Sequence, residues 1–597
     1  MRAGKRRNTC MKQVLLGLYC SALIVFVLAG CDSGSTGDVK PTPTAISFIP
    51  LQLDIPAKAL NAPITGNVAE CQLLHVGVTL KINQQALDQM SKNGIAKPGG
   101  ITSAGDIAKK LGISDADYQR LKQFFGVSGA NLQLSQTRTS MTLDIKAGAL
   151  AQLLQTKFVQ HTLDNRIFYT PDPQQMPKIP AAFANFILAV TGLDNYSLPP
   201  THRQPQQVQQ SAAIKQADTN CDTGKTINGA QLAHAYGYDE MWQKGWHGEN
   251  MTINLVEMDS VKLDDIHTYF ACAGFKGKVD FINVDGIAPR PKADDGEATL
   301  DIEMLAGLAP AVHIKDYQTD LDLQAATFVD FWGKYNDILQ RILDDNAAHP
   351  NLASAVSISW GGTEDSITGE TAKAISQRLQ LLSKAEHMTV YAASGDCGAY
   401  DGGTLGSLSI DYPASDPSVV GVGGTALIPN QANNRFEEVA WTGLPTSLSC
   451  QNDWGSGGGV STIFKRPTWQ QAPGVANKYS NGFRQVPDIA AVGEVELSMY
   501  VNGKWIASGG TSAATPIWAA GMALVNQGLI ETKRLYVYGP DSFYFVQAHA
   551  GKLKPYYDET KGSNLYYFAG PGWDYTTGLG SPNLPDFYQV IYNNATI

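Results

Sequence analysis

The chain has 597 residues, of which 43% are hydrophobic and only 17% charged, with 58 glycines. A quarter or so of a typical soluble protein is charged, so this composition excludes extensive disorder and long coiled coil and predicts a sizeable core. Forty-five basic residues against 55 acidic ones give a net charge of −10, which offers no broad basic face to nucleic acid.

At the N-terminus, Arg2, Lys5, Arg6, Arg7 and Lys12 precede the apolar stretch Val14 to Leu28. A basic start followed by about 15 apolar residues, short of the roughly 20 that span a bilayer, predicts a secretory signal over residues 1–30 rather than an uncleaved membrane anchor. It ends Leu28-Ala29-Gly30-Cys31, which resembles a bacterial lipobox. The resemblance implies that Cys31 is lipidated and holds the exported precursor to a membrane. Residues 31–44 are polar and turn-rich, as a tether would be. Export permits disulfides, but Cys71, Cys221, Cys272, Cys397 and Cys450 are odd in number and their pairing does not follow from sequence. Neither CxxC nor HExxH occurs, so zinc has no signal.

Residues 45–198 read as an α+β unit, with a strand over Leu73 to Ile82, helical spacing from Ile107 to Phe125, and a strand entering a helix over Ser140 to Leu150. From Pro199 to Thr226 the composition turns to Pro, Gln, Ser and Thr, which predicts an exposed, protease-sensitive linker. Residues 227–597 then alternate apolar strands with helical runs: Thr252 to Glu257, Val312 to Tyr317, Ala355 to Ser359, Met388 to Ala393 and Val419 to Val422. Strands apolar on both faces and separated by helices predict an α/β domain built on a parallel sheet covered on both sides.

Two stretches of this second unit carry chemistry. In Gly296-Glu297-Ala298-Thr299-Leu300-Asp301, a helix would place Glu297 and Asp301 on one face. Two carboxyls held close titrate as a pair, so one can act as base while the other orients it; alone, such a pair is usually a solvated helix face. Gly509-Gly510-Thr511-Ser512-Ala513-Ala514-Thr515-Pro516 would put Ser512 at a helix N-terminus, with Pro516 in the first turn. A serine there is as often a plain cap, yet the local field also favours developing negative charge. No histidine lies in a His-Gly-Thr-His context, and His234 and His247 read as surface or core residues, so a base for Ser512 must come from elsewhere. Glu257, ending its strand, reads equally as a supporting carboxylate or an exposed strand end.

The ordered set Gly296 to Pro310, Ser394-Gly395-Asp396-Cys397-Gly398, Tyr412-Pro413-Ala414-Ser415, Val422-Gly423-Gly424-Thr425, Val486-Pro487-Asp488 and the Ser512 segment resembles the sedolisins, the serine-carboxyl peptidases. The resemblance spans residues 45–597 and implies a subtilisin-like fold preceded by a propeptide domain. It implies Ser512 as nucleophile, Glu297 as general base and acid, Asp301 as the carboxylate that orients Glu297, and Asp396 as the oxyanion-hole donor. A carboxyl donates a hydrogen bond only when protonated, and a glutamate base works best near its reference value of about 4.3, so both roles imply an acidic working pH. Ser357-Ile358-Ser359-Trp360-Gly361 and Gly457-Gly458-Gly459 resemble the family's cleft-lining segments, where glycine admits an extended peptide. Near the C-terminus, Asp558 and Asp574 with main-chain carbonyls of Glu559, Gly570 and Gly572 resemble the family's site for one structural calcium ion, an oxygen-only shell that suits a hard cation. Position 559 is usually apolar in the family.

The expectation is therefore an exported, lipid-anchored zymogen acting as an acid endopeptidase on polypeptide substrates, held by its own propeptide and released by cleavage in the linker. The alternatives are a tripeptidyl-peptidase of the same family and an inactive envelope-binding lipoprotein; a neutral subtilisin lacks its histidine motif. Removing the signal's five basic residues leaves 40 bases against 55 acids, and this low charge density limits self-repulsion in acid.

Overall fold

The predicted strand Thr252–Glu257 forms as β1, and all six of its residues are buried. The computed structural model describes residues 46–91, 94–97, 102–127, 129–163, 166–196, 221–222, 226–286, 288–289, 296–320, 331–348, 355–402, 406–430, 435–442 and 454–595. The expected signal, Cys31, the tether, most of the linker and Cys450 lie outside these residues. Among the described residues, no helix is long and apolar enough to cross a membrane.

Seven further strands join β1 among the described residues: β2 (Lys278–Asn283), β3 (His313–Gln318), β4 (Ala355–Ile358), β5 (Thr389–Ala393), β6 (Val420–Asn430), β7 (Arg435–Ala440) and β8 (Ile489–Val492). Their order is β2-β3-β1-β4-β5-β6-β7, with β8 also paired to β6. Only β6–β7 is antiparallel. Successive side chains of a strand point to opposite faces, and the sheet's two faces enter different cores. Ile253 and Leu255 pack with helices α1 (Glu297–Leu308) and α4 (Thr511–Glu531). Val256, Val356 and Ile358 pack instead with α2 (Phe331–Ala348) and α3 (Gly369–Gln380). This is the predicted parallel sheet with helices on both faces. The edge strand β2 escaped sequence reading because it is half-exposed and polar, with Lys278, Asp280 and Asn283.

The N-terminal unit is α+β, as expected. Strands Leu73–Leu80, Asn131–Leu134, Ser140–Lys146 and Ile187–Thr191 form an antiparallel sheet. Val76, Val78, Leu143 and Ile145 meet Leu121 and Phe125 in its core. The helical stretch foreseen over 107–125 divides into Ala104–Lys110 and Asp115–Phe125. Gly112 ends the first, since a Cβ there would lie 2.8 Å from Ala108 O, and the Ser114 side chain caps the second by accepting from Asp117 N.

This unit grips the larger one in two places. Leu87, Ala104, Ile107 and Leu111 complete the core of α2 and α3. Around them, Arg378 donates to Thr79 Oγ1 (3.0 Å), Gln377 to Leu80 O (2.8 Å) and Ser140 to Gln340 (2.7 Å). Farther on, Ile95–Ala96 pairs antiparallel with Tyr536–Val537, and Tyr538 N donates to Gly94 O at 2.8 Å.

Ile227 bridges Leu497 in parallel register, Thr226 shares a hydrogen bond with Ser498, and Cys221 is disulfide-bonded to Cys272. Cys71 and Cys397 each take part in a disulfide too.

Candidate active site

Helix α1 starts where it does because a distant side chain caps it. Just beyond β1, Asp259 accepts the N–H groups of Gly296 (3.1 Å), Glu297 (3.0 Å) and Ala298 (3.1 Å). These are donors that a helix leaves without internal partners. Glu297 is the first residue of α1 and half-buried; Asp301, one turn on and on the same face, is fully buried. Glu297 and Asp301 thus share one face of a helix that is buried along nearly its whole length, rather than a solvated face.

Ser512 is the second residue of α4 and is half-buried. Pro516 is the sixth residue rather than part of the first turn, because the helix already begins at Thr511. Proline has no N–H, so the carbonyl four residues back, that of Ser512, loses its helical donor. The Ser359 hydroxyl takes that place at 3.1 Å, and the same oxygen lies 2.7 Å from Asp301 Oδ2. One hydroxyl therefore joins the Asp301 carboxyl to the main chain of the serine.

Asp396 lies beside the same helix start. Its Oδ1 accepts from Thr511 N and Thr511 Oγ1, both at 2.7 Å, and its Oδ2 lies 3.0 Å from where a Gly510 Cβ would be. Gly510 has φ 114°, so glycine is required there for both conformation and space. Glu257, Ser359 and Asp396 all follow or end parallel strands (β1, β4, β5), which gathers them at the carboxyl edge of the sheet, where ligand crevices form in open α/β sheets.

Glu257 is fully buried and accepts from Trp360 Nε1 at 2.8 Å, so the exposed strand-end reading is excluded. Burial first, then the nearby Asp301, Asp259 and Asp316, push its pKa well above the carboxyl range. Asp316, on β3, is also fully buried, with neither oxygen hydrogen-bonded. Burial and Asp259 raise its pKa strongly too. Sequence reading missed Asp259, Asp316 and the role of Ser359. Asp316 sits in the polar run His313-Ile314-Lys315-Asp316, and Asp259 is 37 residues from the helix it caps, so no local pattern marks either.

His234 pairs with Asp239 (2.9 Å) and His247 with Glu249 (3.5 Å), both at the surface. Gly457 and Gly458 are required to be glycine by the protein's own packing. A Cβ on either would lie 2.1 Å from a carbonyl of the protein itself, Ser394 O or Tyr575 O.

In the C-terminal loop, the carboxylates of Asp558 and Asp574 converge on Gly570-Pro571-Gly572. Asp558 Oδ2 accepts from Gly572 N and Asp574 Oδ2 from Gly570 N, each at 2.9 Å. Burial raises the pKa of both carboxyls, which a divalent cation would offset. The oxygen-only donors fit calcium. The Glu559 side chain is buried against Ser581 (2.8 Å) and Glu438. Among the described residues, no cluster of three or more His, Cys, Asp or Glu side chains is placed to hold a metal.

Comparison with known proteins agrees with this geometry. Residues 294–535 match the Subtilase family and residues 65–196 match the pro-kumamolisin activation domain. Kumamolisin from Bacillus sp. (strain MN-32) is 33% identical over 430 residues, covering 68% of this chain and 70% of the relative. Sedolisin from Pseudomonas sp. (strain 101) is 24% identical over 620 residues, covering 99% of each. The solved Pseudomonas sedolisin, a serine-carboxyl proteinase bound to pseudo-iodotyrostatin, superposes with a TM-score of 0.53 at 26% identity, covering 62% of this chain and 99% of its own. With its subtilisin-like sheet, its serine and carboxyl groups at one sheet edge and its activation domain in front, the chain belongs to the sedolisin family of serine-carboxyl peptidases.

Proposed function

We propose that this pro-enzyme hydrolyses peptide bonds in acid with a Ser512–Glu297–Asp301 triad. The observation that carries the reading is the Ser359 hydroxyl, which lies within hydrogen-bonding distance of both Asp301 and the Ser512 carbonyl and so ties the carboxyl helix to the serine helix. Ser512 Oγ attacks the scissile carbonyl while Glu297 takes its proton and returns it to the leaving amine; water, deprotonated by Glu297, then cleaves the acyl–Ser512 ester, and Glu297 gives the proton back to Ser512 Oγ. Asp301 holds Glu297 in place. The oxyanion forms beside the N-terminus of α4, where Asp396, protonated, donates to it. Asp396 is fixed for this by Thr511, the residue before the serine.

Acidic pH keeps Asp396 protonated and lets Glu297 exchange its proton. Ser512→Ala should abolish hydrolysis of a denatured protein at about pH 4, near the carboxyl reference values, and Glu297→Gln should reduce it by at least about a thousandfold. Undiminished turnover by Ser512→Ala would refute the assignment.

We propose endopeptidase action, with tripeptidyl release as the alternative, since kumamolisin is 33% identical over 68% of this chain and tripeptidyl-peptidase 1 of Mus musculus 23% identical over 87%. Sequencing the products of one acid digestion separates the two. Calcium at Asp558 and Asp574, with the carbonyls of Glu559, Gly570 and Gly572, would neutralise those carboxylates and brace the loop. The N-terminal pattern supports export with a lipid on Cys31, and cleavage in the 199–226 linker would free the peptidase from it. Comparing the N-termini of membrane-bound and soluble forms tests that order of events.

A further inference from the structure

We propose that Asp259 is a positioning residue for the base Glu297, holding the first turn of α1 in place and keeping a negative charge at the end of the helix where the base sits. This rests on the assignment of Glu297 as base. Asp259 is 5% exposed and its two oxygens take three consecutive main-chain N–H groups, including that of Glu297 itself. The cap is not local: the N-cap position just before the helix is Gly296, which has no side chain to supply one. The loop after β1 therefore fixes where α1 begins, and with it where Glu297 stands.

The charge has a second effect. A helix N-terminus carries roughly half a positive charge, which alone would favour the anionic form of Glu297. Three N–H donors favour the ionised form of the carboxyl that caps them, and an anionic Asp259 offsets the helix field. The base then retains its proton to higher pH, closer to the range in which Asp396 must also be protonated. The groups facing Asp259 are themselves carboxyls: Glu257 on β1, Asp316 on β3 and, through Glu257, Asp301 on α1. Burial keeps Glu257 and Asp316 protonated well above the usual range, so neither adds a competing negative charge in acid. Lys262, three residues along the chain, turns away to Asn502.

The test is the pH dependence of kcat/KM for the activated full-length enzyme carrying Asp259→Asn, Asp259→Ser or Asp259→Ala, beside Glu297→Gln. Asparagine and serine keep a cap and remove the charge; both should move the acid limb of the profile down by about half a pH unit or more and leave the alkaline limb in place. Alanine removes the cap as well and should lower kcat about tenfold or more with little change in KM. If Glu297→Gln is inactive while all three Asp259 variants keep the wild-type limbs and kcat, the positioning role is refuted alone. Lower thermal stability with unmoved limbs would reduce Asp259 to a structural cap and refute it too. If Glu297→Gln is fully active, the base assignment falls and takes this role with it.

Discussion

Nε2 of His75, in the activation domain, lies 3.2 Å from Asp337 Oδ2 on α2 of the peptidase domain. Nδ1 of the same ring is 2.7 Å from Asp144, so the imidazole joins a carboxylate of its own domain to one of the other. The hydrogen bond to Asp337, helped by that to Asp144 and opposed by burial, raises the His75 pKa to about 10.

Since this value is raised above the ordinary 6.5, the stabilisation is complete below pH 6.5 and is lost as pH climbs through about 10. The side chain is 38% exposed, so solvent screening limits its worth to about 1 kcal/mol, or roughly fivefold. His75→Ala should therefore speed proteolysis of the activation domain several-fold at pH 6, with variant and wild type converging above pH 10. Equal rates at pH 6 would show that the pair contributes nothing to the grip.

Ser359→Ala leaves Asp301 buried without its hydroxyl partner and the Ser512 carbonyl without its substitute donor. A loss of about 10- to 100-fold in kcat is expected with KM nearly unchanged. Ser359→Thr, which keeps the hydroxyl, should restore most of it. Steady-state kinetics at the acid optimum decides, and an unaffected alanine variant would remove Ser359 from the machinery.

Buried carboxyls predict an inverted pH-stability profile. Burial raises Asp344, Asp416 and Asp541 to about 6 and Glu496 to about 7, and Asp316, Glu303 and Glu386 well above their usual range. The folded state holds these protons more tightly than the unfolded chain, so their contribution is complete below about pH 4 and is lost as pH rises through the raised values. At about 1.4 kcal/mol per pKa unit, the melting temperature should fall by several degrees or more from pH 4 to pH 7.5. Asp316→Val, which removes a buried carboxyl with no hydrogen-bond partner, should raise the melting temperature, more at pH 7.5 than at pH 4. Calorimetry at the two pH values checks both.

Calcium binding at the C-terminal loop should appear as linkage. A saturating ion at about a hundred times its Kd adds about 2.7 kcal/mol, so chelation should lower the melting temperature by several degrees. Asp574→Asn should be insensitive to chelator. Equal chelator effects on wild type and variant would place the ion elsewhere.

The architecture was legible because its signals are local. An apolar run such as Thr252 to Glu257 must be a buried strand wherever it lies, and Glu297 and Asp301 fall on one helix face by spacing alone. The resemblance supplied the roles of Ser512 and Asp396, which spacing could not. What stayed hidden depends on contacts across the chain. Asp259 caps a helix 37 residues away, and Ser359 answers a vacancy created by Pro516. The crowding of Gly457 and Gly458 by Ser394 O and Tyr575 O was equally hidden, because those carbonyls come from distant parts of the chain.

The two footholds of the activation domain, Leu87, Ala104, Ile107 and Leu111 against α2 and α3 and the Ile95–Ala96 arm against Tyr536–Val537, are joined by chain on both sides of the arm. They form a bivalent attachment: when one lets go, the other holds it at high effective concentration and rebinding outruns escape. Acid alone, loosening contacts one at a time, works against that avidity. Because the arm lies in a loop whose two sides, at Leu87 and at Ala104, are both seated against α2 and α3, a single cut in that loop leaves the arm tethered from its other side, and departure still requires both footholds to open together.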